Sequence, residues 1–97
     1  SELLFDTTDV TSKSNELIRN VENILKINKF IKKYYDIKVI NSNDKLRISL
    51  NCEFDKNYTF EEVHDKVTIL ESKIYLHIKE LYPNLSNVII HAEPTNL

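Results

Sequence analysis

Residues 59–83 constrain the fold of this chain more than any other segment. Thr59 followed by Glu62 has the form of a capping box, in which two side chains satisfy each other's backbone N–H groups at a helix start. Behind it Val63, Val67, Leu70, Ile74, Ile78 and Leu81 recur at the spacing of one helical face. Pro83 cannot continue a helix, so the pattern predicts one over residues 60–82. Before this helix, Leu46, Ile48, Leu50, Cys52 and Phe54 alternate with Arg47, Ser49, Asn51 and Glu53, the signature of a half-buried strand. After it, Val88-Ile89-Ile90 marks a strand over residues 86–93. A helix joining two neighbouring strands forces them parallel, through a right-handed crossover.

The first half supplies the remaining elements. Residues 1–13 are polar apart from Leu3-Leu4-Phe5 and Val10, and read as a connector. From Ser14, placed as an N-cap, the positions Leu17, Val21 and Ile24 with Ile18 and Leu25 beside them predict a helix over residues 14–29. Tyr35, Ile37 and Val39 alternate with Asp36 and Lys38, which predicts a strand carrying a half-buried tyrosine. Asn41-Ser42-Asn43-Asp44 joins it to the next strand as a hairpin. The chain contains no glycine, so any positive φ in that turn falls on Asn or Asp, which tolerate it best. The order is αββαβ: an α+β fold with a three-stranded mixed sheet, two helices on one face and the other face uncovered.

Composition removes several functions. At 97 residues and 41% hydrophobic content the chain supports one domain, burying roughly 60 to 65% of its unfolded surface. Its 13 basic and 15 acidic residues are interspersed, with no basic stripe carrying aromatics, which argues against nucleic acid. No apolar run exceeds three residues, so nothing inserts into a membrane. The single cysteine, Cys52, has no internal partner, and no signal peptide leads the chain, so the compartment reads as reducing and cytoplasmic. Cys52 shares parity with Ile48 and Leu50 and points inward as a small apolar group. There is no phosphate-cradling loop and no motif-placed catalytic pair, so the chain does not read as an enzyme.

The candidate chemistry sits near the end, in SNVIIHAEP. His91 and Glu93 lie on one side of the last strand, about 6.6 to 6.8 Å apart along it, within reach of one cation at about 2.0 to 2.2 Å. The plain alternative is the wet end of a strand. Here a family resemblance enters. The order αββαβ with YYDIKV, ISLNCEFD, FEEVHDKV and the closing VIIHAEP, over residues 14–94, resembles the C-terminal cytoplasmic domain of cation diffusion facilitator (cation efflux) transporters. The resemblance implies a ferredoxin-like, metallochaperone-like fold, a homodimer, attachment to the transmembrane domain of the same transporter through residues 1–13, and regulation by zinc or a related divalent cation. It adds His64, which matches the family's helix 2 histidine, to the metal candidates His91 and Glu93. His77 matches nothing in the pattern. The chain departs where the family has two more histidines: Tyr35 stands at one and Asn51 at the other, leaving Asn51 and Glu53 as weak oxygen donors. Depleted in this way, the site is expected to bind cation weakly. Two alternatives remain: a ferredoxin-like dimerisation module that binds no metal, and a free-standing soluble metal-binding protein.

Overall fold

A computed structural model of the chain describes residues 3–4 and 12–94. The elements in order are β1 (Leu3–Leu4), α1 (Ser12–Ile27), β2 (Ile31–Ser42), β3 (Lys45–Phe54), α2 (Phe60–Leu81) and β4 (Leu85–Pro94). The three expected strands are present as a mixed sheet, and the two-residue β1 extends it, with Leu3 opposite Asn41 and Leu4 opposite Ile40. The rest of the expected 1–13 connector, up to residue 11, lies outside the described residues. Helix α1 starts at Ser12, so Ser14 stands inside its first turn rather than at its cap.

β3 organises the core. It runs antiparallel to β2 and parallel to β4, as the α2 crossover requires. Its residues alternate without a break: Leu46, Ile48, Leu50, Cys52 and Phe54 are buried, while Arg47, Ser49, Asn51 and Glu53 stand on the other face, half exposed. Against the buried face pack Leu17, Val21 and Leu25 of α1 and Leu70, Ile74 and Ile78 of α2. Each such side chain contributes about 1.5–3 kcal/mol of transfer free energy. Both helices therefore cover one face, and the opposite face stays open. Cys52 is fully buried as its parity predicts, and that burial pushes its thiol up to about 12.

Turn chemistry fixes the register. Asn43 and Asp44, with φ of 53° and 62°, make a two-residue hairpin turn with both central residues left-handed, which pairs Ser42 with Lys45. The Asn84 amide donates to the Asp44 carbonyl at 3.0 Å and Lys79 Nζ to the Leu85 carbonyl at 2.6 Å, so the hairpin and the α2–β4 turn hold each other. At the opposite end Phe30 and Phe54 stack, and the Lys66 ammonium stands 4.9 Å from the Phe30 ring centre and 5.0 Å from that of Tyr58. The capping box forms as expected: Thr59 Oγ1 accepts from the Glu62 N–H and Glu62 Oε1 from the Thr59 N–H. On the outer edge of β4, the Glu71 carboxylate accepts the Ile90 N–H at 2.9 Å.

One strand departs from the expected pattern. Asp36 has φ of 55°, and the β2–β3 pairing jumps from Tyr35 opposite Asn51 to Lys38 opposite Ser49. This is a β-bulge, and it shifts the strand's phase. Tyr34 and Ile37 both pack against the core although they are three residues apart. Tyr35, expected in phase with Ile37 and Val39, stands on the open face instead.

Candidate functional site

The polar groups of interest gather at one end of the open face. Parallel register sets Asn51 beside His91 and Glu53 beside Glu93, and antiparallel register sets Tyr35 beside Asn51 and Lys33 beside Glu53. Two rows therefore cross three strands: Tyr35, Asn51, His91 and, one pair further on, Lys33, Glu53, Glu93. His91 and Glu93 are exposed, and both pair with open-face residues of β3 while Val88 and Ile90 before them are buried against the helices, so both project from the open face as alternation predicts.

These groups bond to one another. The Tyr35 hydroxyl donates to Glu93 Oε1, across the intervening strand β3. The bulge turns Asp36 toward the same face as its neighbour Tyr35, and the Asn51 amide donates to Asp36 Oδ2 at 3.5 Å. The Lys33 ammonium stands 5.4 Å from the Tyr35 ring centre, a cation–π contact. Two consecutive residues, Tyr35 and Asp36, thus engage one face, which an unbroken strand forbids. Sequence reasoning missed both roles. The available signal was Asp36 itself, a residue poor in strands and tolerant of positive φ, set between a tyrosine pair and Ile-Lys-Val.

His64 lies elsewhere. It occupies the second turn of α2, exposed, in the helical layer that covers the other face of the sheet. His77 is exposed on the same helix. A closed zinc centre takes three or four nitrogen, sulfur or oxygen donors. Among the described residues no three His, Cys, Asp or Glu side chains stand where they could hold one ion. Cys52 is buried in the core. The described residues of one protomer do not fit a closed metal centre; what the open face offers is His91, with a Glu93 already engaged by Tyr35.

The sequence profile of the family described as "Cation efflux protein, cytoplasmic domain" matches residues 14–95. The chain belongs to this family. It is therefore the cytoplasmic domain of a cation efflux protein, a transporter part and not an enzyme class. No described helix is long and apolar enough to cross a membrane.

Solved structures bear out the cation efflux fold. The metal-bound C-terminal domain of the CzcD transporter from Thermotoga maritima superposes with a TM-score of 0.76 at 13% identity, covering 88% of this chain and 94% of that one. The cytosolic domain of a cation diffusion facilitator family protein gives 0.71 at 15% identity, covering 88% and 96%. A CzrB structure gives 0.66 at 19% identity, covering 84% and 95%. At these identities the likeness establishes the fold. No curated protein matches the chain.

Proposed function

We propose that this cation efflux domain is the homodimerising, regulatory part of a divalent-cation transporter of the zinc type, attached to that transporter's membrane domain, and that two copies meet through the open sheet face. The observation that carries the reading is the one-sided architecture. Two helices seal one face of the sheet, while the other leaves Tyr35 and Ile40 half-buried and Ile89 43% exposed among charged and amide side chains. A twofold dimer places that patch against itself, so each apolar group meets its own copy or a near neighbour.

Cytosolic cation makes a weak contact on the same face. His91 is the donor available to it, Glu93 is taken up by the Tyr35 hydroxyl and does not take part, and His64 from the helical layer joins only through a second subunit or water. Sedimentation equilibrium tests the assembly. A dimer is expected at micromolar concentration, and Ile89→Asp is expected to shift it toward monomer without loss of helical signal. A species of 11.4 kDa alone up to high concentration overturns the reading. On the cation side, zinc at high concentration should raise the melting temperature slightly, because a ligand that binds only the native state stabilises it. His91→Ala removes that rise and His77→Ala does not.

A further inference from the structure

The open face sets up an electrostatic problem and answers it from within the chain. Glu53 and Glu93 are direct neighbours on β3 and β4 and project from the same face. Like charges in register, with strands about 4.8 Å apart, destabilise a sheet. A bound cation would relieve that repulsion. This chain instead sets Lys33 opposite Glu53 on β2 and brings the Tyr35 hydroxyl over to Glu93. The Tyr35 side chain starts beside Asn51 and ends at Glu93, so it runs diagonally across β3 and ties β2 to a strand it does not pair with. The left-handed Asp36 makes this possible, because without the bulge Tyr35 would share the inner face with Ile37.

We propose that Tyr35 is an internal ligand of Glu93: it takes the place of a cation on that carboxylate and holds the three strands together without metal. Tyr35 is thus a specificity-determining residue, and its action is to withhold the carboxylate from cation. The inference rests on the reading of this face as the one that cation would approach. It does not depend on dimerisation.

The test is zinc titration calorimetry on the whole chain, with melting curves taken in chelator. Tyr35→Phe keeps the ring and removes the hydroxyl. Zinc is expected to bind Tyr35→Phe about tenfold more tightly or better than wild type, since a hydrogen bond to a charged group no longer competes. In chelator the same variant melts slightly lower, having lost its tie. Glu93→Gln alone should leave the wild-type affinity unchanged, because that carboxylate is already withheld, yet should erase the gain when combined with Tyr35→Phe. Equal zinc affinity in wild type and Tyr35→Phe, including no binding in either, overturns the proposal. A wild-type affinity that falls with Glu93→Gln overturns it as well, by a comparison that does not require Tyr35→Phe to fold. Sedimentation of the same samples reports the dimer separately, so a failure of the dimer reading is distinguishable from a failure of this one.

Discussion

Leu70→Ala should cost this domain a large share of its stability. Leu70 is fully buried at the middle of α2. Leu→Ala at such sites costs about 2–5 kcal/mol, the spread reflecting how far the surroundings collapse into the cavity. Here collapse is resisted. α2 is fixed at its start by the Thr59–Glu62 box and near its end by Lys79 bonded to the Leu85 carbonyl, so it cannot slide inward to fill the space. The upper part of the range applies, about 3–5 kcal/mol, against a total of about 5–15 for a domain. The control is the adjacent Ile69, which is 53% exposed. Ile69→Ala removes little buried surface and gains helix propensity, so its effect should stay within about 0.5 kcal/mol. Urea unfolding followed by circular dichroism reads both variants, with an unchanged slope showing that the two-state comparison holds. Equal losses for the two, or the larger loss for Ile69→Ala, would mean that α2 is rolled by about 100° from the orientation described, and the core assignment would fall with it.

Two further outcomes follow from titratable groups. Burial raises the Cys52 thiol from 9.0 to about 12, so between those values the unfolded chain has lost a proton that the native chain keeps. The stabilisation is complete below pH 9 and declines as pH rises through that window, by up to about 1.4 kcal/mol per pH unit. Unfolding curves of wild type and Cys52→Ala should therefore converge with rising pH; a constant difference from pH 7 to 11 would contradict the assignment. At the start of α2, the Thr59 backbone N–H, followed by its side chain, holds the Glu62 carboxyl below its ordinary 4.5. That contribution is present above 4.5 and lost as pH falls through the lowered value, so the protection of the amides at residues 60–63, measured against their intrinsic exchange rates at each pH, should fall on acidification. Thr59→Ala should cost about 1 kcal/mol at neutral pH; no measurable loss would place the helix start elsewhere.

The parts of the fold legible in the sequence were those governed by local physics. The capping box, the α2 stripe, the β3 alternation and the Asn43-Asp44 turn each depend on a few neighbouring residues and on rules that tertiary packing here does not override. The bulge at Asp36 was not legible, because alternation alone reads Tyr35, Ile37 and Val39 as one face. Asp36 is a local hint that the phase can break there, but the break is settled by which tyrosine finds room against α1, where Tyr34 reaches Glu22 at 3.5 Å. The candidate site follows the same division. That His91 and Glu93 share a face comes from the period of a strand. That Tyr35 occupies Glu93 depends on that bulge and on three strands lying in register, which no single segment encodes.

The bond between Glu71 and the Ile90 amide bears on how this molecule behaves in a crowd. β4 is an edge strand, and its Val88-Ile89-Ile90 run is the kind of β-branched, uncharged sequence onto which other extended chains add, copy after copy. Glu71 reaches over from the helix and fills the donor at the end of that run, midway along β4. An incoming strand would have to strip away the carboxylate and leave its charge beside the new ladder. The lateral route to fibres along this edge is thereby blocked midway along the strand, so strand-by-strand addition there stops before it begins.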